Sequence, residues 1–394
     1  MDPFAAALLE DPYPLYERLR REDPVHWSLR NAWLVTRHAD VASLLTDERL
    51  HHWMLPERAG GSQEDLSRVL GRWLELMKPQ HRSRLRRLTQ RVFSPGAIQA
   101  LVGRLETHAE SLLDQFPEDG AVDLVQTYAL PFSLGGIGEL LGVPFHRREL
   151  FERLASTVAG HLVPVLLLGR TSDSFSQSTQ LFFQFLLACL AEKEQNPGED
   201  LMSALFLAQE GGDPLEREDF LALCIVFLFA GYENAKNFIS GSVLTLLRHP
   251  DQLAYLGEDP SRMPHAIEEL LRYESPVQTI SLTAHAELSV GTRTIQAGQQ
   301  VLLSVAAANR DPAVFTDPDR LDLSRRDNPH LAFGHGPYFC LGAPLARLEA
   351  GVALQALFRR FPRLQLTGAP LSWGGGPPVL RGLRQLPVMG CGRA

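Results

Sequence analysis

The chain is poor in cysteine. Its 394 residues include only four, Cys189, Cys224, Cys340 and Cys391, far apart and with no CxxC pair. That pattern offers no disulfide framework and fits a reduced cytosolic setting. Positive charge is not in excess either. Lys and Arg number 38 against 46 Asp and Glu, a net charge of -8, which argues against general nucleic-acid binding. Met1 to Glu22 is acidic and punctuated by proline, with no basic segment followed by an apolar one, so a secretory signal is excluded. The longest apolar run, Phe220 to Gly231, falls short of the roughly 20 residues that span a bilayer. Linkers, repeats and low-complexity tracts are missing too. The Gly- and Pro-rich piece from Gly368 to Pro378 reads as a late loop. These absences point to one large domain, residues 1–394, in a soluble cytoplasmic protein without membrane insertion.

Helical periodicity dominates what is present. It predicts helices over Tyr13 to Arg21, His38 to Asp47, Arg82 to Phe93, Ile98 to Gln115, Arg148 to Val158, Ser174 to Glu192, Met263 to Tyr273 and Ala343 to Phe361. The longest helix opens at Asp213-Pro214 and runs to about Leu247, roughly 50 Å at 1.5 Å per residue. Trp33 to Thr36 reads as a strand. Thr279 to Leu303 alternates, with Gln296-Ala297-Gly298-Gln299 as a hairpin turn, and Val379 to Val388 reads as a short hairpin. Cys189 and Cys224 lie in apolar helical runs and read as core.

Chemistry concentrates in one loop, Phe333-Gly334-His335-Gly336-Pro337-Tyr338-Phe339-Cys340-Leu341-Gly342. A single cysteine follows a glycine-rich turn and directly precedes a helix. Backbone N–H groups of Leu341, Gly342 and the helix start would point at the sulfur and favour a thiolate. The glycines let the backbone pass close to a flat cofactor, and Phe333 and Phe339 would keep water from the sulfur. A buried structural cysteine in a turn is the plainer alternative.

At this point the loop resembles the haem-ligand signature of the cytochrome P450 family, Phe-x-x-Gly-x-(His/Arg)-x-Cys-x-Gly. Phe333, Gly336, Cys340 and Gly342 match; Tyr338 stands where the family has His or Arg. The resemblance covers nearly the whole chain, four motifs in order. It implies a mainly α fold with small β-sheets, a triangular prism holding haem b between the long central helix and the helix after the cysteine. Cys340 would ligate the iron, with Phe333, Gly334, Tyr338, Leu341, Gly342 and Ala346 around the cofactor.

The other motifs take their meaning from this one. Glu269-Leu270-Leu271-Arg272 places Glu and Arg on one helix face. Alone it would be a surface ion pair worth little; in the family's order it implies a buried network of Glu269, Arg272 and Arg320 beneath the cysteine loop. Ala230-Gly231-Tyr232-Glu233-Asn234-Ala235 lies inside the long helix. Its small pair lets a cofactor approach the backbone. Glu233 matches the family's acid and can relay protons through water, while Asn234 replaces the usual Thr and can donate a hydrogen bond but does not titrate. Arg82 and Arg86, one turn apart, are expected at a haem propionate. Leu282 stands where an Arg is common. Arg87 and Arg347 are candidates for contact with an acidic electron donor.

By position in the family fold, Val226, Phe229, Ala230, Gln278, Ile280, Val379 and Leu380 line the substrate pocket. Residues 50–78 and 157–184, with Trp53, Met54 and Trp73, roof it. What the resemblance implies is a monomeric monooxygenase that puts one atom of O2 into a hydrophobic or amphipathic molecule of secondary metabolism. Electrons would come from a separate ferredoxin or flavodoxin. Oxidative coupling, cyclisation or desaturation on the same fold, and a non-catalytic haem sensor or carrier, are the rival readings.

Overall fold

A computed structural model of the chain describes residues 10–52, 89, 92–117, 120–168, 173–210, 216–374 and 379–390. The helices are α1 Tyr13–Glu22, α2 His38–Leu44, α3 Pro95–Gln99, α4 Val102–Leu113, α5 Leu130–Leu141, α6 Arg148–Leu168, α7 Asp173–Gln195, α8 Leu201–Glu210, α9 Arg217–Arg248, α10 Pro250–Glu258, α11 Met263–Tyr273, α12 Val305–Ala308 and α13 Ala343–Arg360. The strands are β1 Val25–Trp27, β2 Ala32–Val35, β3 Leu50–His52, β4 Ala121–Asp123, β5 Thr279–Ala284, β6 Leu288–Val290, β7 Arg293–Ile295, β8 Gln300–Ser304, β9 Gln365–Leu366, β10 Ser372–Gly374, β11 Gly382–Gln385 and β12 Pro387–Met389.

Helix α9 organises the molecule. It is 32 residues long and buried on nearly every face from Asp219 to Leu246. A helix apolar all round belongs inside a core. Glu218 and Asp219 in its first turn suit the positive end of its dipole. It packs against α5, α6 and α13. The approach to α5 is close: a Cβ on Gly231 would sit 2.1 Å from Ile137 Cδ1. Gly231 is therefore needed for helix packing, and only Ala230 of the expected small pair stays open.

The largest sheet runs β1-β2-β8-β5-β3, with β2 and β8 parallel and the other pairs antiparallel. Its buried face carries Val35, Leu50, Leu282, Val301 and Leu303. Leu282 is core, so the missing arginine is replaced by packing. No described helix is long and apolar enough to cross a membrane.

Three expectations change. The helix over Ile98 to Gln115 is two, α3 and α4, separated at Ala100-Leu101. Gln296–Gln299 does turn, with Gly298 at φ +84°, but it joins β7 to β8. The tight hairpin is β6–β7, around Gly291 at φ +58°. The tail does not fold on itself: β11 pairs with β10, while β12 pairs with β4 and β9. The helix over Arg82 to Phe93 and the opening at Asp213-Pro214 lie largely outside the described residues.

Candidate active site

The loop before α13 is shaped by its glycines. Gly334 has φ +75°, and a Cβ there would lie 2.5 Å from the Tyr338 carbonyl oxygen. Gly336 has φ +57°, and its Cβ would meet Thr46 Cγ2 at 2.8 Å. Only glycine tolerates both the left-handed backbone and the closeness. The loop then closes on itself: the Cys340 N–H donates to the Phe333 carbonyl at 2.7 Å.

Cys340 differs from the other described cysteines. Cys189 and Cys224 are buried, whereas Cys340 is exposed. Burial pushes the Cys189 thiol up to about 12 and the Cys224 thiol higher still, so both are inert core. One side of Cys340 is open while protein crowds the other. Burial raises its thiol pKa, and N–H groups of Gly342 and Ala343 and the charge of Arg347 pull against that rise. These two residues are among the donors expected at the helix start. Among the described residues no group of three His, Cys, Asp or Glu side chains could hold a metal ion. A lone accessible sulfur at a helix start would suit a single thiolate bond to a preformed metal cofactor.

Tyr338 was expected around the cofactor, in place of the family's His or Arg. Its hydroxyl donates to the Leu50 carbonyl at 2.6 Å, pinning the loop to β3. Arg82 and Arg86, with Trp53, Met54, Trp73 and Arg87, lie outside the described residues.

The network beneath the loop is present, with a different third member. Glu269 and Arg272 are fully buried, and Arg272 Nε and Nη2 donate to both carboxylate oxygens at 2.7 and 2.8 Å. The guanidinium also donates to the carbonyls of Asn309 at 3.0 Å, Pro318 at 2.7 Å and Arg320 at 3.2 Å. Arg325 Nε, Asn328 Nδ2 and the Asp322 N–H donate to Glu269 at 3.1, 3.2 and 3.0 Å. Arg320 is thus corrected to Arg325: the Arg320 residue is exposed and gives only its carbonyl. Several arginines follow Pro318, and nothing local distinguishes them; Asp322-Leu323-Ser324 turns Arg325 back towards α11. Arg347, expected to face a partner, is bound to Glu268 at 2.6 and 2.7 Å.

On α9 four of the residues that escape burial share one face, while Gly231 and Lys236 are half-buried to its sides. Val226, Phe229 and Asn234 are half-buried and Ala230 is exposed, in the middle of an otherwise buried helix. That is the face a cofactor and substrate would need. Glu233 is buried beside it. Its Oε1 accepts from Lys236 Nζ at 2.8 Å and from Asn237 Nδ2 at 3.3 Å. Lys236 was missed; its i+3 spacing from Glu233 was the available signal. Asn234 Nδ2 donates to the Ala230 carbonyl at 2.9 Å, and its Oδ1 is buried with no hydrogen-bond partner. One N–H is spent on the helix, and the carbonyl oxygen and the second N–H remain.

Gln278 is removed from the pocket list. It is buried, its Oε1 accepts from Tyr16 at 3.2 Å and its Nε2 donates to the Ser275 carbonyl at 2.6 Å. It ties α11 to α1. Its backbone nonetheless aligns the segments expected together: the Gln278 N–H donates to the Val379 carbonyl at 2.8 Å, and Val277 bridges Leu380. Ile280 and Val379 are half-buried, and Leu380 is buried.

Comparison with known proteins decides the family. The cytochrome P450 family model matches residues 148–368. The vitamin D(3) 25-hydroxylase of Pseudonocardia autotrophica is 38% identical, over 98% of this chain and 96% of its own. The chain belongs to the cytochrome P450 family. The 6-deoxyerythronolide B hydroxylase of Saccharopolyspora erythraea is 35% identical over 96% of each protein. The solved structure of the Bacillus subtilis cytochrome P450 PksS superposes with a TM-score of 0.86 at 31% identity, covering 99% of both chains. The fold is accordingly the cytochrome P450 fold, and the protein is a cytochrome P450 monooxygenase whose cofactor is haem b. The family uses O2 and hydrophobic substrates. The exposed thiol, the glycine cradle and the open stripe of α9 fit that cofactor.

Proposed function

We propose that Cys340 is the thiolate ligand of the haem iron. On this reading the enzyme hydroxylates or epoxidises a hydrophobic or amphipathic organic molecule of secondary metabolism. Electrons come from a separate ferredoxin or flavodoxin. The observation that carries the reading is an accessible sulfur, receiving two backbone N–H groups at the start of α13. Haem, when bound, would supply the activation of O2, from which the transferred oxygen atom comes.

The chain's own residues do the rest. Gly342 and Ala343 N–H groups stabilise negative charge on sulfur. The Glu269–Arg272–Arg325 network holds the loop from below. Glu233 is the proton-carrying group, and Lys236 and Asn237 fix the direction of its carboxyl. Asn234 Oδ1 accepts a hydrogen bond from water or from a substrate hydroxyl. Val226, Phe229, Ala230, Ile280, Val379 and Leu380 present apolar surface to the substrate. Relatives named for hydroxylating vitamin D(3) and 6-deoxyerythronolide B support a bulky substrate.

One observation favours a second reading. Asn234 spends a donor on the helix backbone, so oxygen orientation by a hydroxyl is missing, and oxidative coupling, cyclisation or desaturation becomes the alternative reaction. Turnover under labelled O2 separates the two: hydroxylation places the label in product and coupling does not. A Cys340→Ala protein that keeps the thiolate-type spectrum of the reduced carbon monoxide complex would overturn the ligand assignment.

A further inference from the structure

A second charged cluster lies behind the loop, unused by the chemistry above. Glu268 and Glu269 are neighbours on α11 with separate partners. Arg347, on α13, donates from Nε and Nη2 to the two oxygens of Glu268 at 2.6 and 2.7 Å. His330 Nε2 lies 3.2 Å from Glu268 Oε2, and His330 Nδ1 accepts the Ala332 N–H at 3.2 Å. With Nδ1 taken as an acceptor, Nε2 is the nitrogen that donates to Glu268.

The same guanidinium stacks over Phe333, 4.5 Å from the ring centre. His330 and Phe339 approach that ring at 6.1 and 6.2 Å. The Phe333 carbonyl accepts the Cys340 N–H. Contacts therefore run without a gap from Glu268 through Arg347 and Phe333 to the peptide of the cysteine. Burial pushes the Glu268 carboxyl up, but bonds from Arg347 and His330 outweigh it and bring it down to about 2. The carboxylate stays charged at any working pH.

We propose that Arg347 and Glu268 form a positioning pair that sets the charge felt by the Cys340 sulfur. Arg347 clamps Phe333 against the loop and places a positive charge near the thiolate; Glu268 orients that charge and partly cancels it. The inference rests on Cys340 being the iron ligand. An ordinary surface ion pair would not need a bidentate geometry, a shared buried histidine and a stacked aromatic ring at once. Both side chains also border an open cavity of about 620 Å³ with Met263, Arg326 and Gly351, so solvent screens the pair and its influence is graded.

The test is the midpoint reduction potential of the holoenzyme in Arg347→Gln, Glu268→Gln and the double variant. A positive charge beside the thiolate favours the electron-rich reduced state. Arg347→Gln should lower the potential, Glu268→Gln should raise it, and the double variant should return towards the parent. A purely structural role would move both single variants the same way, and that result, or no shift in either, overturns the inference. Glu268→Gln preserves shape and decides the sign if Arg347→Gln loses haem. The reduced carbon monoxide spectrum is recorded alongside. A parent without a thiolate-type band sinks the ligand assignment, whereas a normal band with unmoved potentials sinks only the proposed pair.

Discussion

Replacing Arg325 by alanine should destabilise this protein far more than replacing Arg320. Arg325 donates to a Glu269 carboxylate that is fully buried, and its own side chain is 11% exposed. Losing a hydrogen bond to a buried charge costs roughly 1.5–3 kcal/mol. Glu269 would keep Arg272, Asn328 and the Asp322 N–H, so the cost stays below the roughly 3–5 kcal/mol of stripping a buried charge of its partner. Arg272→Ala removes two bonds to Glu269, which keeps only Arg325, Asn328 and the Asp322 N–H, and also leaves the carbonyls of Asn309, Pro318 and Arg320 without this donor; it should approach that larger figure. Arg320→Ala removes an exposed side chain whose backbone carbonyl alone is used, and should stay within about 0.5 kcal/mol. Urea unfolding of the three holoenzymes, followed by far-ultraviolet circular dichroism and by haem absorbance, gives the order. Arg272→Ala should melt first, then Arg325→Ala, with Arg320→Ala close to the parent. An Arg320→Ala protein as weak as Arg325→Ala would refute the assignment.

Glu349 supplies a pH test. It is buried on α13, its Oε1 has no hydrogen-bond partner, and burial pushes its carboxyl up to about 8 from 4.5. Between those values the unfolded chain releases a proton that the folded chain keeps, so this group makes stability fall as pH rises. Glu349→Gln should raise the urea midpoint at about pH 8 more than at about pH 5; an equal gain at both counts against it. Gly334→Ala should lose haem and stability together, since αL backbone costs roughly 1–2 kcal/mol before the clash with the Tyr338 carbonyl is added; a variant with full haem content would contradict the cradle. Tyr338→Phe should cost only about 0.5–1.5 kcal/mol, the value of one neutral hydrogen bond, with haem affinity unchanged; a marked fall in affinity would return Tyr338 to the cofactor.

Readable parts of the chain were those in which neighbours in sequence are neighbours in space. The bounds of α11 follow from its periodicity, as does the pairing of Glu269 with Arg272 one turn on. The cysteine loop is legible because its glycines obey local backbone rules: φ is positive at Gly334 and Gly336 whatever lies beyond them. The helix expected over Ile98 to Gln115 failed at Ala100-Leu101 because apolar spacing continues through a break that backbone geometry imposes. The tail was misread because β11 and β12 are consecutive in sequence but join different sheets.

Side-chain direction was the larger gap. Gln278 and Ile280 sit two residues apart, yet Gln278 is bonded to Tyr16, 262 positions away. Gly231 looked like room for a cofactor and proved to be room for Ile137. Asn234 could be read as a free amide until the Ala230 carbonyl was seen to take one of its N–H groups.

The sequence by itself determined the family, the glycine-rich turn that carries Cys340 and the ion pair under the loop. Each rests on residue type and on spacings of a few positions, which covalent geometry fixes. Tertiary structure alone decided which arginine completes that ion pair, what Tyr338 and Gln278 hold, and that Arg347 turns inward to Glu268 and Phe333. Those choices depend on contacts across tens or hundreds of residues, where several side chains of the same type compete and only packing selects among them.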